Sequence, residues 1–329
     1  MNNYSNTNNY WLNINNMSAL LFPGQGSQIV GMGSEFYNNF KIVKKIFNEA
    51  DQKLNFPISK MILEGPEDQL QLTQNTQPAI LTVSYSIFKV LKNEFNFDFK
   101  TFKYFAGHSL GEYSALVCSD ALNFNDALYL LNERGKAMQE AVPVGQGSMI
   151  AVLGAKINEV INLIKTRDSK NGICEIANDN AEGQVIISGD KESVEKFQVT
   201  LKEKKIKSIP LKVSAPFHCS LMKPAADIMK EKINNIKFNN PTIDIINNVT
   251  AKPENNAENI KKLLIEQIFS TVKWRESIIN MSKANVMNYI EIGPGKVLTG
   301  MAKRTIKNVN CFSINSIADI EKLNNEFKK

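Results

Sequence analysis

The sequence predicts an α/β fold, in which a large domain with a mainly parallel sheet carries a small inserted ferredoxin-like domain. Three observations predict it. Short apolar segments repeatedly run into a glycine turn and then a helix, the alternation that builds a parallel sheet covered on both faces. After residue 146 the pattern changes to β-α-β-β-α-β, the order of a ferredoxin-like unit. Beyond residue 211 the strand, turn and helix alternation resumes. With 329 residues, 43% of them hydrophobic, the chain can bury a large core and a second, smaller one. The expected division is an Asn-rich tail at 1–16, a large domain made of 17–146 and 212–329, and the small domain at 147–211.

Taken in order, Ser18-Ala19-Leu20-Leu21-Phe22 is an uncharged run that stops at the turn Pro23-Gly24-Gln25-Gly26, and it reads as a buried strand. A helix is expected over 33–50, another from 67 to 72, and a longer amphipathic one over 77–94. Tyr104-Phe105-Ala106 is a strand that meets Gly107-His108-Ser109-Leu110-Gly111, and Glu112 to Val117 continues as helix, with a further helix at 125–140. The small domain reads as strand 148–154, helix 156–166, strands 173–178 and 184–189 across a polar turn, helix 191–204 and strand 206–210. Then come a helix at 221–236, strand 242–247, helices 257–269 and 273–283, and strand 286–292. Gly293-Pro294-Gly295 lacks the spacing of a phosphate-binding loop and reads as the turn into a helix at 296–304.

Composition removes several function classes. No apolar run reaches eighteen residues, so no membrane span is expected. The first sixteen residues hold eight Asn and no basic residue; they lack the features of a secretory or transit peptide and read as a disordered tail, with Met17 a candidate start. Cys118, Cys174, Cys219 and Cys311 are scattered, which argues against a zinc site or a disulfide framework and fits a reducing compartment. The net charge of +6 is a mild excess. It suits an anionic partner such as a phosphorylated cofactor or an acidic protein, and no basic stretch interleaved with aromatics points to nucleic acid.

The chemistry starts at Gly107-x-Ser109-x-Gly111. Between a strand and a helix this pattern is a nucleophile elbow, which makes the large domain α/β-hydrolase-like. The elbow lifts the serine oxygen above the sheet, beside a helix N-terminus that favours negative charge on a substrate oxygen. A serine nucleophile needs a base, and the chain has two histidines. His108 adjoins Ser109 in a tight turn where neighbours point apart, so packing or hydrogen bonding is its expected role. His218, in Ser214-Ala215-Pro216-Phe217-His218-Cys219, is left as the base; a structural histidine is the bland alternative.

Further motifs then fall in register: Phe22-Pro23-Gly24-Gln25-Gly26-Ser27-Gln28, the elbow extended to Glu112, Arg134-Gly135-Lys136-Ala137-Met138-Gln139, Ser214 to His218, Glu266-Gln267, and Glu291-Ile292-Gly293-Pro294-Gly295-Lys296. In this order and spacing the chain closely resembles the malonyl-CoA:acyl-carrier-protein transacylases of type II fatty-acid synthesis, from about Ala19 to the C-terminus. The resemblance implies a ping-pong transfer of malonyl from malonyl-CoA, through a malonyl-Ser109 ester, to the phosphopantetheine thiol of acyl carrier protein. It implies an oxyanion hole from the backbone amides of Gln25 and Leu110, and a dyad whose His218 is oriented by the backbone carbonyl of Gln267. Arg134, which alone would read as a helix surface charge, becomes the residue that grips the malonyl carboxylate. Asn180 matches a segment facing the cleft, although a turn residue between two strands is nearly as good a reading. Leu110 and Phe217 resemble the malonyl-selecting members. No bound cofactor or metal is expected, and a monomer working in bacterial cytoplasm, or in an organelle of bacterial origin, is.

Lys202, Lys204, Lys205, Lys207 and Lys212 form a basic cluster before His218. It is either solvated surface or a landing place for the acidic carrier protein or CoA phosphates at the mouth of the cleft. Two rivals are open at this point. A serine esterase or thioesterase would use the same elbow, and a catalytically silent carrier-binding protein would need neither Ser109 nor Arg134.

Overall fold

A computed structural model describes residues 17–167, 172–211, 213 and 215–327. The tail at 1–16, Lys212 and Ser214 lie outside them. The strands are β1 (Ser18–Phe22), β2 (Tyr104–Gly107), β3 (Gly147–Leu153), β4 (Cys174–Ala181), β5 (Gln184–Asp190), β6 (Lys207–Pro210), β7 (Ile245–Ile246), β8 (Pro253–Glu254), β9 (Asn288–Ile292) and β10 (Asn310–Ile314). Six of them form one sheet in the order β10-β9-β1-β2-β7-β8. All neighbours in it are parallel except β7 and β8.

The central strands β1 and β9 are buried at every position because both faces are covered. In β1, Leu20 and Phe22 join the main core, while Ala19 and Leu21 join a second cluster around Trp274, Tyr289 and Met301. Side chains alternating across a strand require this two-sided burial. Each such fully buried Leu or Phe contributes roughly 1.5–3 kcal/mol relative to an exposed one.

The remaining four strands form an antiparallel sheet in the order β4-β5-β3-β6. With the helices Ile157–Lys165 and Lys191–Glu203 between its strands, this is the β-α-β-β-α-β arrangement expected from the sequence. One face of it, Ile150, Val152, Val185 and Ile187, packs beneath Val194, Phe197 and Leu201 of the second helix. The opposite face, with Met149 and Ile186, joins the main core.

Several elements differ from expectation. The helix at 33–50 is two, Ser34–Asn39 and Lys41–Leu54. Phe40 between them is extended and packs its ring on Phe36 and Phe95. The strand at 242–247 is only the two residues of β7: before it the Thr242 N–H bonds the Ser119 carbonyl at 2.8 Å, and after it the backbone N–H of Asn248 bonds Glu112 Oε2 at 3.1 Å. The helix Ile58–Glu64, strand β10 and the helix Ile317–Phe327 were not foreseen. No helix among the described residues is long and apolar enough to cross a membrane.

Candidate active site

Parallel pairing brings the carboxyl ends of β1, β2 and β9 to one edge of the sheet, where ligands of α/β folds bind. The turn after β1 carries Gln25, the turn after β2 carries Ser109, and the turn after β9 leads to the helix Val297–Thr305. The elbow requires both of its glycines. A Cβ on Gly107 would overlap the Gly111 carbonyl, and one on Gly111 would overlap the carbonyl oxygen of Phe22. Ser109 itself sits at φ 53°, a left-handed conformation that a non-glycine residue holds only when its surroundings enforce it. Asn248 supplies part of that enforcement. Its Oδ1 accepts from the Ser109 amide at 2.7 Å and its Nδ2 donates to the Gly107 carbonyl at 2.7 Å.

Ser109 Oγ lies 2.8 Å from His218 Nε2, and His218 Nδ1 lies 2.8 Å from the backbone oxygen of Gln267. A carbonyl only accepts, so Nδ1 carries the ring proton and Nε2 is free to take one from the serine. Ser109, His218 and the Gln267 carbonyl thus lie in one hydrogen-bonded line, a serine–histidine dyad in geometry. Burial first, and the Arg134 charge second, push the His218 pKa down to about 3. The imidazole is thus neutral at rest.

Arg134 is fully buried, far from the surface position that its place on a helix suggests. Its Nη2 donates to Ser109 Oγ at 3.1 Å and to Gln267 Oε1 at 2.9 Å, and its Nη1 donates to Gln77 Oε1 at 2.7 Å. Its Nε has no partner among the described residues. Three of the five guanidinium N–H groups are engaged, leaving two that could donate further. Below this layer Gln267 Nε2 donates to Ser109 O at 3.1 Å and to Glu112 Oε2 at 2.8 Å. Asn247 Nδ2 closes on Glu112 Oε1 at 2.6 Å.

A cavity of about 210 Å³ opens above the dyad, lined by Gln25, Gln77, Ser109, Leu110, Arg134, Asn180 and His218, with apolar walls from Met138, Met149, Ile186, Leu211 and Phe217. The backbone amides of Gln25 and Leu110 have no acceptor among the described residues. The Ser109 amide, by contrast, is taken by Asn248. Asn180 reaches the cavity from β4 and accepts from His108 Nε2 at 2.8 Å, while the His108 ring rests against Trp274. His108 is therefore held by packing and hydrogen bonding, not placed against Ser109. The structure brings every expected site residue into this one cavity or, for Gln267, directly beneath it. Sequence reasoning missed Gln77, Asn247, Asn248 and the part played by Glu112. The only signal available for these was a Glu three residues after the nucleophile and an Asn pair closing a short apolar run.

Of the lysine cluster, Lys212 lies outside the described residues, and three of the others sit away from the cavity. Lys202, Lys205 and Lys207 surround a separate surface groove with Glu195 and Val199, and that groove shares no residue with the cavity. The helix Lys191–Glu203 covers the face of the small sheet opposite Met149 and Ile186, which puts the sheet between these lysines and the dyad. None of these three lines the cavity.

The profile of the acyl transferase domain family matches residues 19–326. The malonyl CoA-acyl carrier protein transacylase of Haemophilus influenzae is 41% identical over 301 residues, covering 91% of this chain and 96% of that protein. The protein of the same name from Bacillus subtilis is 41% identical, covering 92% and 95%. Among solved structures, an acyl-carrier-protein-S-malonyltransferase from Bartonella henselae superposes with a TM-score of 0.91 at 39% identity, over 95% of this chain and 99% of that one. A malonyl-transacylase solved in complex with its type II PKS acyl-carrier protein gives 0.90 at 38% identity, over 94% and 99%. A strained serine, a buried histidine and a buried arginine on one cavity thus occur in a chain that matches this family over nearly its whole described length; the chain belongs to the acyl transferase domain family.

Proposed function

We propose that the protein transfers a malonyl group from malonyl-CoA to the phosphopantetheine thiol of an acyl carrier protein, by a ping-pong route through a malonyl-Ser109 ester. The observation that carries this reading is Arg134: a buried guanidinium with spare donors, 3.1 Å from the oxygen of an activated serine. Burying a charge is unfavourable without a partner, so a site that keeps one beside its nucleophile is built for an anionic acyl group.

In the first half, the Ser109 hydroxyl proton passes to His218 Nε2 as Oγ attacks the thioester carbon. The amides of Gln25 and Leu110 face the developing oxyanion. The C–S bond then breaks, and His218 returns its proton to the CoA sulfur. In the second half, the carrier thiol gives its proton to His218 and its sulfur attacks the ester. The C–O bond breaks and Ser109 recovers the proton. A malonyl carboxylate seated on Arg134 also offsets the second cause of the low His218 pKa, so the anionic substrate strengthens the base that acts on it. No metal or resident cofactor enters any step. The bacterial origin of the similar proteins supports a bacterial cytoplasm, or an organelle of bacterial origin, as the place of work.

Intact-protein mass spectrometry after exposure to malonyl-CoA tests the reading. The expected result is one malonyl adduct on the wild type, none on Ser109→Ala, and discharge of the adduct by a holo carrier protein. An adduct that discharges to free malonate equally fast without carrier protein would make the enzyme a hydrolase. No adduct on the wild type would overturn the reading altogether.

A further inference from the structure

Glu112 is a buried carboxylate that none of these steps uses. It lies one helical turn after Ser109, and three donors converge on it: Asn247 Nδ2 at 2.6 Å, the Asn248 amide at 3.1 Å and Gln267 Nε2 at 2.8 Å. A carboxylate surrounded by donors accepts from all of them when ionised, whereas a protonated one would have a hydroxyl with nothing to receive it.

Gln267 is where this matters. Its backbone oxygen holds His218, its Nε2 bonds Ser109 O and Glu112, and its Oε1 takes the Arg134 Nη2 proton at 2.9 Å. Arg134 has only donors and an ionised Glu112 only acceptors, so a single orientation of the Gln267 amide satisfies both. Turned over, the amide would set its own N–H groups against the guanidinium. Burial outweighs the donors and the Arg134 charge and leaves the Glu112 pKa raised to about 7, so the ionised form that fixes the amide prevails above that pH. Glu112 in turn supports the charge on Arg134, which burial opposes.

We propose that Glu112 is a positioning residue for acidic acyl groups: through the Gln267 amide it aims Arg134 at the acyl pocket, and so sets the preference for acyl-CoA donors that carry a free carboxylate. This rests on the malonyl-transfer reading above and names what sets its selectivity. Glu112→Gln keeps the shape of the side chain but offers Gln267 both a donor and an acceptor. The amide is then held in that orientation only by the Ser109 carbonyl at 3.1 Å and Asn248 Oδ1 at 3.3 Å, and the acceptor it offers Arg134 is less firmly fixed.

The test is kcat/KM for serine acylation with malonyl-CoA and with acetyl-CoA, in the wild type, Glu112→Gln and Gln267→Met. The last keeps the backbone carbonyl on His218 and removes only the amide. The malonyl-to-acetyl ratio is expected to fall roughly tenfold or more in Glu112→Gln, the scale of one lost charge-assisted hydrogen bond. It should fall similarly in Gln267→Met, and the double variant should lose little more, since both act through one link. A purely structural role predicts equal losses with both donors. A wild-type ratio in Gln267→Met overturns the proposal even if Glu112→Gln does not fold. A wild type that prefers malonyl, with that ratio intact in both variants, overturns the Glu112 proposal alone. A wild type with no preference for the malonyl donor overturns it together with the reading on which it rests.

Discussion

His218 is a buried histidine kept short of its proton. Burial and Arg134 hold its pKa near 3, well under the ordinary 6.5, and the sign of the consequence for stability follows directly. The unfolded chain takes up a proton as pH falls through 6.5, and the native protein does not until about 3. Stability from this residue is therefore complete above 6.5 and is lost as pH falls toward 3. Melting temperatures across that window should drop more steeply for the wild type than for His218→Gln, which has nothing to titrate there. Parallel curves would show that His218 is not buried neutral. Ser109 and His218 were legible from sequence because an elbow constrains its own backbone and the chain offers only two histidines. Gln77, Glu112, Asn247 and Asn248 were not. A buried amide or carboxylate has no local signature, and its role exists only once segments as far apart as Glu112 and Asn247 are packed together.

At the scale of elements, the position of Arg134 is a matter of helix packing. The helix Phe124–Glu140 lies against the helix Thr73–Glu94 so closely that a Cβ on Gly135 would overlap the backbone of Gln74. That approach lets Gln77 reach Arg134 Nη1, and Asn132 Nδ2 reach the Gln74 carbonyl at 3.0 Å. Gly135→Ala must push the two helices apart. Overpacking of this kind costs about 1–3 kcal/mol, so a lower melting temperature is expected, and the displaced guanidinium should lower kcat/KM for malonyl-CoA as well. Loss of stability with unchanged kinetics would mean that Arg134 follows its ligands and not its helix. The alternation of strands and helices was readable because apolar period and turn residues are local. The break at Phe40 and the brevity of β7 were not, since Phe40 packs on the Phe95 ring, distant in sequence, and the residues flanking β7 bond Ser119 and Glu112 instead of the sheet.

The molecule as a whole places its small sheet over the cavity largely through β4. Ala177 and Asp179 exchange backbone hydrogen bonds with Val272, Thr271 Oγ1 bonds the Ile176 carbonyl, and Glu175 holds the Ser220 amide and hydroxyl. Arg275 Nε meets both oxygens of Asp179 at 2.9 and 3.0 Å. The same strand turns Asn178 and Asn180 into the cavity, so what fastens the small sheet also sets one wall of the site. Asp179→Asn removes the charge and leaves Arg275 partly buried without its partner. Losing such a hydrogen-bonded pair costs roughly 1–3 kcal/mol, and the wall carrying Asn180 loses its tether. Melting should shift downward, and KM for malonyl-CoA should rise more than kcat falls, because His218, Arg134 and Gln267 take none of their contacts from Asp179. A fall in kcat with KM unchanged would instead mean that the strand reaches the dyad, through Asn180 and His108. Lys202, Lys205 and Lys207 lie on the far side of that sheet from Asn178 and Asn180.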